Sequence, residues 1–178
     1  MRILLTLVFI FFFFSSFLGA EVIRGAKAEE FSYSELQVKA AYILKIRGFV
    51  EWPKGETPPV VCVVGDDLLG SSLAYIQHNS NGMNGLKIEK LFISSDFEKC
   101  QVLFLGQESF EGVQKVINKL RGKPILTISD IKDFSVHGGM IEFYLEGQRV
   151  KMKVNNRIAK ESGLFISSKL LQVAKVVE

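Results

Sequence analysis

The sequence predicts one α/β domain: a mixed sheet with a parallel part and a C-terminal antiparallel hairpin, with helices packed on it. Three observations predict this. VVCVVG at 60–65 and CQVLFLG at 100–106 are unbroken apolar runs, suited to strands buried on both faces. Segments whose apolar residues recur at helical spacing fall between the strand-like runs, the order expected of an α/β sheet. MIEFYLEGQRVKMKVN, residues 140–155, then reads as two strands around Glu146-Gly147. A chain of 178 residues is long enough for one domain with a substantial core.

The elements follow in order. Residues 1–20 read as an export signal: Met1 and Arg2, the apolar run ILLTLVFIFFFFSSFLGA, and an exit near Ala20. The residue two before Ala20 is Leu18, so the usual pair of small residues is missing. An uncleaved membrane tether is the alternative, because the run approaches the length of a bilayer crossing. No cysteine follows the run, so a lipoprotein anchor has no attachment residue. Either way the folded part is expected outside the cytoplasmic membrane.

Residues 21–31 form a lead-in, and 32–178 the domain. Ser32 and Glu35 make a capping box for an opening helix containing Leu36, Ala40, Ile43 and Val50, with Pro53 as its latest end and Gly48 weakening its last turns. After the turn KGETPP comes the 60–65 strand, then a helix with Leu68, Leu69, Leu73 and Ile76 that Asp66 or Asp67 can cap. LKIEKLFI at 86–93 alternates as a strand. Ser109 can cap a helix whose Val113, Val116, Ile117 and Leu120 form one apolar stripe. PILTISD at 124–130 is the fourth strand. Lys151 and Lys153 are expected on a strand's wet face, and Leu170, Leu171, Ala174 and Val177 on a closing helix.

Charge and motif content exclude several functions. Removing residues 1–20 takes one basic residue from 22 and no acidic one, leaving 21 basic against 19 acidic residues, a net charge of +2. That near balance, with the basic residues scattered, argues against a nucleic-acid partner. VVGDDLLGSS ends a strand at a helix start, yet it has neither the three spaced glycines of a dinucleotide site nor a Gly-Lys-Ser/Thr cradle, so no cofactor is implied. Asp66, Asp67, Asp96, Asp130 and Asp133 invite a metal or acid-pair reading, but aspartate at turns has a local hydrogen-bonding reason. Cys62, Cys100, His78 and His137 show no metal-ligand spacing. The two cysteines fit a disulfide of an exported protein, and equally free buried thiols. No nucleophile elbow surrounds Ser109, and His137 has no identifiable partner. The chain reads as a non-enzyme.

KAAYILKIRGFVEWP at 39–53 concentrates Tyr42, Ile46, Phe49 and Trp52. So many large side chains ask to be packed, against the sheet or against a partner. Together with VVCVVGDDLLG, CQVLFLG, GKPILTISDIKDF, GGMIEFYLEGQRVKMKVN and GLFISSKLL, this block belongs to an ordered set over about residues 35–172. The set resembles the YfiR family, exported regulatory proteins of Gram-negative bacteria. The resemblance implies a periplasmic, homodimeric α/β domain, similar to a repressor that binds the periplasmic part of a membrane diguanylate cyclase and restrains cyclic-di-GMP synthesis. Other sensors, including histidine kinases, are alternative partners within so broad a family. It also implies that Cys62 and Cys100 form one disulfide, redox-sensitive in the better-known members. A second pair near the C-terminal hairpin is absent here, because HGGMIEFYLEGQRVKM has no cysteine.

Interface candidates are therefore Tyr42, Ile46, Phe49 and Trp52, followed by Gly138, Gly139 and Ile166. The rival expectation is a small-ligand module serving a sensor kinase, with ligand at the strand ends near Asp66, Ser94 and Asp130, where open α/β sheets place ligands.

Overall fold

The alternation of side chains within each apolar run divides the core into two layers, one on each side of a seven-stranded sheet. A computed structural model describes residues 35–53, 60–80, 85–106 and 110–177. The expected signal, the lead-in, the capping residues Ser32 and Ser109, and the turn at 54–59 lie outside the described residues. Among the described residues no helix is long and apolar enough to cross a membrane.

In chain order the elements are α1 (35–46), a 3-10 turn (Arg47–Phe49), β1 (Val50–Glu51), β2 (Val60–Val64), α2 (Asp67–Asn79), β3 (Lys87–Leu91), β4 (Val102–Leu105) and α3 (Phe110–Leu120). There follow β5 (Leu126–Ser129), β6 (Ile141–Glu146), β7 (Arg149–Asn155), α4 (Asn156–Glu161), β8 (Phe165–Ile166), α5 (Ser168–Val173) and β9 (Lys175–Val177). The main sheet has the order β3-β2-β4-β5-β6-β7-β9, and β1 pairs with β8 in a separate two-stranded sheet. Strands β3, β2, β4, β5 and β6 are mutually parallel, and β6–β7 is the antiparallel hairpin. The sheet is mixed and mostly parallel, as the sequence predicts.

Period-two burial explains why β2 and β4 read as continuous apolar runs. Val61, Val63, Val102 and Phe104 face a layer built with Ala40 and Ile43 of α1 and Leu69 and Leu73 of α2. Cys62, Val64, Leu103 and Leu105 face the layer of α3, with Val113, Val116, Ile117 and Leu120. Both faces are dry, so no position alternates to polar. Edge strand β3 instead carries Lys87, Glu89 and Lys90, charges that blunt an open edge against pairing with another chain.

Two expectations are corrected. The opening helix does not run on to Pro53. It ends at residue 46, tightens through Arg47–Phe49, and Val50–Glu51 becomes a strand antiparallel to Phe165–Ile166. Gly48 breaks the α ladder, and β-branched Val50 gains more from pairing with Ile166 than from one further helical turn. The closing helix likewise stops at Val173, and Lys175–Val177 pairs in parallel with β7. A run of Lys-Val-Val suits the half-covered sheet edge, a tertiary preference that helical spacing alone does not reveal.

Candidate functional site

The 39–53 block resolves into an inward and an outward part. Ala40, Ile43, Leu44 and Ile46 are buried, and Tyr42 and Trp52 pack half-buried against the same core. The Tyr42 ring meets Phe143 of β6 in a tilted pair, with centroids 6.1 Å apart. In the β1–β8 sheet, Val50 opposes Ile166 and both point inward, while Glu51 opposes Phe165 and both point out. Ile166 is therefore a core residue, as is Ile46. Phe49 is 38% exposed and Phe165 59%. Phe49, just before β1, and Phe165 on β8 are the large apolar residues these segments leave exposed. Phe165 escapes a composition search, yet the period of two finds it once Ile166 is known to point inward.

Two further observations fall on the same sheet. Trp52 Nε1 and Ser167 Oγ are buried without a hydrogen-bond partner, and the described residues hold only one other such side-chain atom, Asn156 Oδ1. Ser167 is also the N-cap of α5 and makes no side-chain cap bond there, although its backbone N–H donates to Phe49 O at 2.8 Å. Unpaired buried polar groups are costly and rare, so their concentration marks this sheet out from the rest of the domain.

Beneath it, the domain is braced from several directions. Lys39 on α1 is buried and holds Asp130, at the end of β5, at 2.6 Å. Arg47 Nε donates to Gln101 Oε1 at 2.8 Å. Cys62 on β2 and Cys100 before β4 form a disulfide, with Cα atoms 5.8 Å apart and both residues almost fully buried in the α3 layer. It closes a loop of 38 residues that contains α2 and β3. Oxidised protein should show no free thiol under denaturing conditions. Replacing both cysteines by serine should lower unfolding stability by roughly 2–4 kcal/mol, read by urea titration.

The glycine pair has a steric role. A Cβ on Gly139 would sit 2.1 Å from the ring of Phe134, which is itself fully buried. The backbone thus lies directly on the aromatic ring, and Gly139 contributes absence of bulk rather than contact.

The strand-end candidates are already engaged. Asp66 Oδ1 accepts from Leu69 N at 2.8 Å and caps α2, Asp130 holds Lys39, and Ser94 lies in the turn after β3. Between the ends of β2 and β4, where the strand order reverses, Gly106 N–H donates to Val64 O at 2.7 Å. A Cβ on Gly106 would lie 2.9 Å from Asp66 Cβ, so backbone fills this crevice. The aspartates do not converge: Asp67 pairs with Lys90, and Asp96 accepts from Glu98 N. Among the described residues no group of three or more His, Cys, Asp or Glu side chains can hold a metal ion.

The most connected polar cluster centres on Glu142 and includes Lys153, a residue expected on a strand's wet face. Lys153 does not lie on a wet face. It donates to buried Glu142 at 2.7 Å, and Ser135 Oγ, Ser135 N and Asp133 N donate to the same carboxylate at 2.7, 3.1 and 3.2 Å. Burial alone would raise the Glu142 carboxyl, but the bonds from Lys153 and Ser135 outweigh it and hold it below the usual carboxylate value. The bond to Glu142 raises Lys153 above the ordinary lysine value. The cluster ties the 133–135 loop to the hairpin. All its polar atoms face one another, so it has the form of a brace rather than of a reactive site.

Comparison with known proteins matches this architecture. A family model described as YfiR/HmsC-like matches residues 36–175, nearly all of the described domain. The crystal structure of a conserved domain protein from Vibrio cholerae O1 biovar El Tor is similar in fold, with a TM-score of 0.57 at 12% identity. The likeness covers 80% of this chain and 60% of that one, so the chain spans about 60% of the length of the protein it matches.

Proposed function

The chain belongs to the YfiR/HmsC-like family, and from that premise we propose that it restrains a membrane signalling protein, in the first instance a diguanylate cyclase, by binding its periplasmic part. Proteins of this family are periplasmic, and they are regulatory rather than catalytic. Residues 1–20 serve as the export signal, residues 21–31 as a lead-in, and the domain acts as a homodimer. The observation that carries the reading is the family match over residues 36–175.

Within the domain, the surface proposed to meet the partner is the outer face of the β1–β8 sheet. Phe49 and Phe165 are its anchors, and Tyr42 and Trp52 fix the backbone that presents them. Ile46 and Ile166 set the shape behind this surface, whereas Gly138 and Gly139 pack against Ile117 and Phe134 in the α3 layer and take no part in it. A regulator of this kind works by preferring one state of its partner, and an exposed aromatic pair on a rigid two-stranded support meets that requirement.

The test is capture of the exported protein from a cross-linked envelope fraction, together with deletion of its gene. Recovery of a cyclase with a periplasmic domain, and a rise in cyclic-di-GMP on deletion, are expected. Unchanged cyclic-di-GMP with no such protein recovered would overturn the proposal.

A further inference from the structure

A cleft of about 430 Å³ lies away from the β1–β8 sheet, between α3, the turn at 136–138 and α4. Its walls come from segments distant in sequence, and two of them bring a guanidinium to the same space: Arg121 just beyond α3 and Arg157 on α4. Arg121 is exposed and makes no ion pair among the described residues. Arg157 is held through Nη1 by Glu161 at 2.7 Å, which fixes the guanidinium while leaving most of its N–H groups free to donate. Gln114 Nε2 donates to His137 O at 3.2 Å, so its side chain is positioned as well.

The cleft exists because of Gly138. Its φ is +100°, in the region that glycine favours, and a Cβ there would lie 3.2 Å from Ile117 on α3. The turn can therefore lie close against the helix and leave the space beside it open. Neither Phe49 nor Phe165 lines this space.

We propose that this cleft binds a small polar monocarboxylate. Arg121 and Arg157 against Glu161 leave one net positive charge, which matches a single carboxylate. Planar guanidiniums grip a carboxylate through paired N–H donors. Glu161 and the Gln114 side chain accept from hydroxyls or amides on the body of the ligand. The walls are predominantly polar and include no Phe, Tyr or Trp, with His137 supplying the one ring among them, which suits a hydroxylated body rather than an apolar one. The volume lies within the range of small-molecule sites and exceeds what an inorganic ion fills.

The experiment uses the exported protein without residues 1–20, with D-glucuronate as the probe, followed by amide NMR shifts and thermal shift. Saturable shifts in residues around Gln114, Gly138 and Arg157 at millimolar probe are expected. Glucose, with the same hydroxylated body and no charge, should fail to produce them. R121Q and R157Q should each weaken the probe about tenfold or more while leaving the spectrum of the folded domain unchanged. Absence of saturable shifts would overturn the proposal, as would equal binding of glucose or undiminished binding by R121Q. None of these outcomes bears on capture of a membrane partner, so the two proposals stand or fall separately.

Discussion

Replacing Glu142 by alanine is expected to destabilise the domain by about 3–5 kcal/mol, the loss that follows when one member of a buried ion pair is removed. Glu142 is 2% exposed, and its carboxylate is the only acceptor shared by Lys153, Asp133 N and Ser135 among the described contacts. Alanine would leave the Lys153 ammonium without its nearest counter-charge and two backbone N–H groups without acceptors. Asp133 sits at a φ of 62°, unusual for a residue other than glycine, and its N–H bond to Glu142 helps hold it there.

The pH dependence of this brace has a defined sign. The folded carboxyl lies below its unfolded value, so its contribution is present above about pH 4.3 and is lost as pH falls through the folded value. The Lys153 ammonium lies above its unfolded value, so its contribution is present below about pH 10.4 and is lost as pH rises beyond it. Urea titrations across pH should show a plateau between these limits, and E142A should flatten the acid limb. An E142A variant as stable as wild type at pH 7 would show that the brace contributes nothing net.

The second large effect is on binding. Serine at both Phe49 and Phe165 should abolish capture of the membrane partner while leaving the unfolding midpoint nearly unchanged. An aromatic anchor at the centre of an interface contributes about 2 kcal/mol or more, so each substitution should weaken binding about thirtyfold. Alanine at Ile46 or Ile166 supplies the contrast. Both are buried, so their loss should cost about 2–5 kcal/mol of stability and affect binding only through unfolding. Unaltered capture by the double-serine variant would move the interface elsewhere on the domain.

The sheet was legible because β2 and β4 are apolar at every position, a pattern with few alternatives, and because Glu146-Gly147 marks the hairpin turn. The segments misread as helix, Val50–Glu51 and Lys175–Val177, are short, and their partners lie more than a hundred and about twenty residues away in the chain. Helical spacing is a local signal and carries no trace of such partners. The Glu142 cluster was hidden for the same reason: a lysine alternating with apolar residues looks solvated until the opposite strand is in place. Ile46 and Phe49 differ by three residues and look equivalent in a list, yet the change from α1 to the 3-10 turn between them leaves one inside and the other exposed.

The antiparallel contact of Val50 with Ile166 gives the domain a clasp between segments 116 residues apart in the chain. The inner face of α1, with Ala40, Ile43 and Ile46, shares its core layer with Ile166 and Leu170. A chain emerging N-terminus first therefore leaves that layer incomplete until Ile166 and Leu170 arrive. Contacts of such long sequence separation delay folding, because the loop must be closed before the contact is gained. The same clasp makes any shortening before residue 166 equivalent to removing support from the opening helix.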